Sequence, residues 1–196
     1  MKAFITATST FGAQGVGQEN VTAGSVPHET LAGALTMRGL RPLSRTARLA
    51  MVVAAQVLPP GSPTREDDGV VLGSAWSSVG PLATFVQVAA EHGPDQVFPM
   101  AFPNTVVSVH AGYIATLLGC RGPALSVCGE HAGFEAVVEA LSLLENRRAE
   151  RVLAIAAEAA ESVVTAARPE AGEAAAALRI AATPESEGVS VVTGVW

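Results

Sequence analysis

Apolar positions along this chain switch between two periods, one that suits strands and one that suits helices. Residues 2–8 alternate bulky and β-branched side chains and predict a first strand, and 9–17 supply a Gly-rich turn. Residues 18–39, interrupted by Pro27, read mostly as loop, with a helical turn near 29–35. Ser44 then has the chemistry of a helix N-cap, and Leu43, Leu49, Val52, Val53 and Val57 mark one apolar face of a helix over 45–58 that Pro59 and Pro60 end. After a polar loop to Asp68, the run Gly69-Val70-Val71-Leu72-Gly73 is short and continuously apolar, as in a strand buried on both faces.

A helix over 81–91 follows, with Pro81 in its first turn. Asn104 opens the next helix, in which Gly112 is expected as a close-packing position. Residues 123–128 form the next strand, 132–147 a helix with Phe134, Val137, Val138, Leu141 and Leu144 at helical spacing, and 149–157 a further strand. A loop containing Pro169 leads to two final apolar runs, 174–182 and 189–195, expected to pair as a hairpin around 183–188. Strand and helix alternate through most of the chain, which predicts an α/β fold: a mixed sheet with helices on both faces.

Composition narrows the function classes. Of 196 residues, 49% are hydrophobic and 15% charged, against about 25% charged in an average chain. The mean hydropathy is +0.36. Either a partner covers part of the apolar surface, or the chain is simply Ala-rich. The net charge of −6, with no basic cluster beyond Arg147, Arg148 and Arg151, argues against nucleic acid or an anionic membrane as a ligand. No run reaches about 18 apolar residues and no signal-peptide layout opens the chain, so a cytoplasmic protein is expected. Cys120 and Cys128 flank one strand and are expected as reduced thiols; no Cys/His spacing suits a metal, and no cofactor is expected.

The chemistry converges on residues 119–144, which read as turn, short buried strand, sharp elbow and long helix. Such an elbow lifts one side chain to the mouth of a sheet, where open α/β folds bind ligands. That side chain is His131. Glu130 beside it is a candidate to orient the imidazole, as a carboxylate does in hydrolytic triads, but no serine or cysteine is spaced to complete such a site. Cys128 is expected to face the packing of its strand and stay unreactive, and His110 to be a helix histidine satisfied by a nearby carbonyl.

Five motifs in order, Gly69-Val70-Val71-Leu72-Gly73-Ser74-Ala75, Phe102-Pro103-Asn104-Thr105, Ala111-Gly112, Arg121-Gly122-Pro123-Ala124-Leu125-Ser126-Val127 and Gly172-Glu173-Ala174-Ala175-Ala176-Ala177-Leu178, together resemble the N-terminal half of a β-ketoacyl synthase. That family holds the condensing enzymes of fatty-acid and polyketide assembly. The resemblance implies a thiolase-like half fold, a five-stranded mixed sheet with helices on both faces, as one domain over 1–196.

In the condensing enzymes the nucleophilic cysteine lies nine residues past the Gly of the Gly-Pro pair, and counting from Gly122 reaches His131. The family's two catalytic histidines belong to a C-terminal half that residues up to Trp196 do not reach. Histidine cannot hold an acyl chain as a durable thioester, so independent condensation is not expected. The resemblance implies instead a chain-length-factor-like subunit, which pairs with a complete ketosynthase and shapes its acyl tunnel. By position, Ala124, Leu125, Ser126 and Val127 would be the dimer edge, an uncharged strand that is an aggregation hazard if left bare. Trp76 would be the tunnel floor, with Val79, Gly80 and Ala83 as wall, unless Trp76 is a core residue packed on Phe85. Two other readings stay open: an acid/base enzyme acting on acyl or malonyl thioesters through His131 and Glu130, and a homodimeric docking module that recruits acyl carrier protein through Arg147, Arg148 and Arg151.

Overall fold

A computed structural model of the chain describes residues 2–12, 15–16, 26–35, 39–40, 43–58, 66–168, 172–183 and 190–193. Its strands are β1 (Lys2–Gly12), β2 (Gly15–Val16), β3 (Asp68–Gly73), β4 (Ala124–Val127), β5 (Arg151–Glu158), β6 (Ala174–Ala181) and β7 (Ser190–Thr193). The helices are α1 (His28–Ala34), α2 (Arg45–Val57), α3 (Val79–His92), α4 (Val107–Leu118), α5 (Ala132–Glu145) and α6 (Ser162–Ala167), with 3₁₀ segments at Pro94–Gln96 and Pro99–Thr105.

The five strands β1-β6-β5-β3-β4 form the body of one mixed sheet, as expected, and the short β2 and β7 both join β1, making seven in all. β3 runs parallel to β4 and β5, while β6 is antiparallel to β5 and β1. The period-two pleat sorts the apolar run of β3 between two cores. Val70 and Leu72 face α2 and α4 together with Leu153 and Ile155, whereas Val71 faces α5 together with Val152 and Ala154. Helices therefore cover both faces.

Several expectations shift. β1 continues through Gly12, so residues 9–12 are strand instead of turn, and Phe11 is a buried core residue. The last two strands do not pair with each other: Phe4 lies between Ala181 of β6 and Val191 of β7, so β1 separates them. α4 begins at Val107 instead of Asn104, because Pro99 and Pro103 favour a 3₁₀ turn that spans Asn104. Gly112 is no close-packing site, since a Cβ there would meet no atom within 4 Å. α6 occupies part of the stretch read as loop. The helix stop at Pro59 and Pro60, the loop at Pro169 and the turn over 184–188 lie outside the described residues.

Two buried ion pairs fasten the sheet. Arg151 and Asp68, which open β5 and β3, form a fork with Nε–Oδ1 at 2.6 Å and Nη2–Oδ2 at 2.5 Å. Arg151 is thus committed to the interior and unavailable to the basic cluster, which shrinks to exposed Arg147 and Arg148. Glu173, 1% exposed, receives Arg45 Nε at 2.5 Å and Nη2 at 2.7 Å, plus the backbone N–H groups of Val26 at 2.6 Å and Ala160 at 3.2 Å. It joins the start of α2, the segment before α1 and the loop after β5. Removing Arg45 would leave that carboxylate buried without its cation, a situation that costs about 3–5 kcal/mol. Arg45→Met is therefore expected to lower the unfolding free energy in urea by about that amount, and Glu173→Gln, which keeps a neutral acceptor, by clearly less.

Candidate functional site

The carboxyl ends of the parallel strands β3, β4 and β5 open side by side, and the loops that follow them converge. Gly73 makes the convergence possible: a Cβ there would collide with the backbone carbonyl of Ala132, so α5 can start directly over the end of β3 only because position 73 has no side chain. The three loops carry the turn over 74–78, the elbow over 128–131 and the segment after Glu158.

Glu158 organises the turn. Its carboxylate accepts from Ser74 Oγ at 3.2 Å, from Trp76 N at 3.3 Å and from Ala75 N. Burial raises its pKa above the ordinary carboxylate value, and the donated hydrogen bonds oppose that rise. On the far side of the turn, Ser77 N donates to Ser74 Oγ at 2.8 Å and Thr46 Oγ1 donates to Ser77 O at 3.4 Å. Ser77 has φ of 22°, a conformation that costs a non-glycine residue about 1–3 kcal/mol and needs support from its surroundings.

These contacts aim Trp76 into a cavity of 470 Å³ that it shares with Glu130, Glu158 and Val164. Phe85 does not pack on it, pairing instead edge-on with Phe102 at 5.8 Å between centroids. Of the neighbours assigned to the wall, Val79 is exposed and Ala83 half-buried, but Gly80 turns inward, where a Cβ would overlap the Glu161 carboxylate.

The elbow is present where expected. His131 is exposed, with φ −110° and ψ 24°, and caps α5 through its backbone, Glu135 N donating to its carbonyl at 2.9 Å. Its side chain lines an open hollow with Phe134 and Val138, while Glu130 lines the Trp76 cavity. The two side chains line different hollows and share no hydrogen bond, so the candidate pairing of carboxylate and imidazole is not formed here.

Cys128 is exposed instead of packed against its strand. Its thiol is nevertheless held above the usual pKa, first by partial burial and then by the negative charge of Glu158, with the Ser77 hydroxyl opposing. That is the reverse of the electropositive setting a reactive thiolate needs. Cys120 is buried, and its pKa is pushed up to about 11 by burial first and Asp68 second. Among the described residues, no group of three or more His, Cys, Asp or Glu is placed to hold a metal ion, and no helix is long and apolar enough to cross a membrane.

β4 is the last strand of the sheet and pairs only with β3 among the described residues. Ala124 is exposed, and Leu125, Ser126 and Val127 are half-buried. Val70 N bonds the carbonyl of Pro123 at 2.8 Å and Ser74 N that of Val127 at 3.1 Å, so alternation turns the backbone groups of Ala124 and Ser126 to the open side.

The sequence profile of the β-ketoacyl synthase N-terminal domain matches residues 13–187. The chain belongs to that family. No curated protein sequence matches it. Among solved structures, this synthase-family domain superposes on the ishigamide ketosynthase/chain length factor with a TM-score of 0.81 and 21% identity, over 95% of its own length and 64% of that chain. A β-ketoacyl synthase from Burkholderia phymatum matches with a TM-score of 0.75 and 14% identity, over 92% of this chain and 59% of that one. A ketosynthase (ApeO) in complex with its chain length factor (ApeC) from Xenorhabdus doucetiae matches with 0.67 and 18%, over 94% of this chain and 81% of that one. At these identities the likeness is one of fold, and the domain spans less than two thirds of the first two chains.

In this synthase-family domain, sequence reasoning passed over Glu158 and gave His110 the wrong partner. Glu158 had a signal, being the single acid of its strand, placed after the apolar run 152–157. The partners of His110 carried no signal, because they come from distant segments. His110 is fully buried, with Nε2 3.1 Å from Ser44 Oγ and Nδ1 3.2 Å from Ser77 Oγ, two hydroxyls in place of the expected carbonyl. Burial lowers its pKa from 6.5 to about 4. A depressed folded value means the unfolded chain binds the proton first, so the stabilisation from neutral His110 is complete above pH 6.5 and lost as pH falls towards 4. Between those limits the folded protein is expected to lose about 3 kcal/mol more than His110→Asn does, measured as unfolding free energy against pH.

Proposed function

We propose that this domain belongs to a non-catalytic, chain-length-factor-like subunit that pairs with a complete ketosynthase and bounds its acyl tunnel in fatty-acid or polyketide assembly. The observation that carries the reading is His131, an exposed imidazole at the elbow where the condensing enzymes carry their cysteine. An imidazole cannot store an acyl chain as a thioester, and Cys128 nearby is held as a thiol by burial and by Glu158. Chemistry on the acyl chain is then the task of the partner's nucleophile, and an acyl carrier protein is the expected donor.

Two further features support the reading. β4 ends the sheet with backbone groups directed outward, and an uncharged free edge is a template for a second strand. Trp76 stands in a cavity at the carboxyl ends of the parallel strands, where a rigid apolar ring limits how far an acyl chain can extend. Two of the matching structures are of a ketosynthase together with a chain length factor, which fits a paired role for this fold.

Co-expression with a ketosynthase tests the pairing: the expected result is a single complex on gel filtration, and separate elution of two soluble proteins, or a homodimer alone, would overturn it. Within such a complex Trp76→Ala is expected to lengthen the products, read by mass spectrometry, and unchanged lengths would remove Trp76 from the tunnel. Ser126→Pro deletes an outward backbone donor without touching the ladder to β3, so it is expected to weaken association at least about tenfold while leaving the melting temperature of the isolated protein nearly unchanged.

A further inference from the structure

Behind the Trp76 turn runs a buried polar chain that neither cavity nor elbow explains. It begins at Ser44, the N-cap of α2, whose Oγ accepts from Ala47 N at 3.2 Å. Having accepted there, the Ser44 hydroxyl has its own hydrogen to give, and His110 Nε2 lies 3.1 Å away. In the tautomer that accepts at Nε2 the ring carries its proton on Nδ1, which lies 3.2 Å from Ser77 Oγ and can donate to it. Ser44, His110 and Ser77 are 8%, 0% and 4% exposed, so each bond is made without competition from water.

The chain ends on the one residue of the turn with positive φ. Ser77 and Arg147 are the only non-glycine residues with positive φ among the described ones. Glu158 holds Ser74, Ala75 and Trp76 from the cavity side, while Ser77 is held by Ser74 Oγ at its N–H, by Thr46 at its carbonyl and by His110 at its hydroxyl. Conformations of this kind persist where the surroundings over-determine them. His110 anchors the side chain of Ser77, the residue next to Trp76, while Ser74 and Thr46 hold its backbone.

We propose that His110 is a positioning residue that sets the reach of Trp76 into its cavity, by donating from Nδ1 to Ser77. The consequence for product length rests on the tunnel reading above; the positioning itself does not. An imidazole suits the place because it links two hydroxyls on opposite sides of a rigid ring, and it must be neutral to accept from one and donate to the other. The lowered pKa keeps it neutral at working pH.

The test uses the full chain with Trp196→Phe, so that Trp76 alone of the two tryptophans reports. Acrylamide quenching of Trp76 is compared in His110→Phe, His110→Gln, His110→Asn and Ser77→Ala. Asn places its amide near Nδ1 and Gln near Nε2, so Asn is expected to retain the quenching constant, whereas Phe, Gln and Ser77→Ala raise it about twofold by freeing the turn. A purely structural histidine would change the melting temperature in all three His110 variants and leave quenching in step with it, which would overturn the proposal. Should His110→Phe fail to fold, Ser77→Ala decides, since it removes the hydroxyl that His110 meets: unchanged quenching there overturns the proposal as well. In the complex with a ketosynthase, Gln and Ser77→Ala should shift product lengths in the direction of Trp76→Ala. Altered quenching with no complex formed would sink the tunnel reading and leave the positioning role standing.

Discussion

One carboxylate governs how the mouth of this sheet is built. Glu158 ends β5 and reaches across to the turn after β3, taking the N–H groups of Ala75 and Trp76 and the hydroxyl of Ser74. Those donors would otherwise be orphans in a tight turn, and the carboxylate would otherwise be a charge half out of water. Each satisfies the other, and the turn is held in a shape that its own backbone would not choose. The direction of Trp76 and the support needed at Ser77 follow from this one contact, and the same carboxylate adds to the rise that burial gives the Cys128 thiol pKa.

Around it the molecule places its charge economically. Half-buried Arg45 with buried Glu173, and buried Arg151 with Asp68, are matched, and each pair ties segments far apart in sequence. A chain with 15% charged residues has few to spare, and committing Arg151 to the interior leaves the end of α5 with only Arg147 and Arg148 as exposed cations. The exposed apolar residues Leu82, Val86, Phe98, Met100 and Phe102 gather on α3 and the 3₁₀ segment beside it. They accord with the hydropathy of the chain.

Much of this was legible in the sequence, because the strands and helices that matter are set by local pattern. The apolar run at Gly69–Gly73, the N-cap at Ser44 and the helical spacing after Ala132 fell within a residue or two of β3, α2 and α5. What failed was non-local. That β1 would stand between β6 and β7 depends on sheet order, which no hairpin signal carries. That Gly80 lies against Glu161, 81 positions away, is likewise a contact no local pattern carries. Glu130 and His131, adjacent in sequence, part company because consecutive residues in an elbow need not point the same way. The position of His131 was readable by counting from Gly122; the histidine with buried partners, His110, was not.

The outward edge of β4 has a quantitative side. Only Ala124 and Ser126 direct their backbone groups away from β3, which gives about four hydrogen bonds to any strand laid alongside. At about 1 kcal/mol net for each, the edge alone amounts to an affinity in the millimolar range. Such a strand is a poor adhesive but a demanding register key: a slip by one residue would point the incoming strand's donors and acceptors the wrong way. Tenacity between two such subunits has to come from side chains elsewhere, and the strand decides only in which frame they meet.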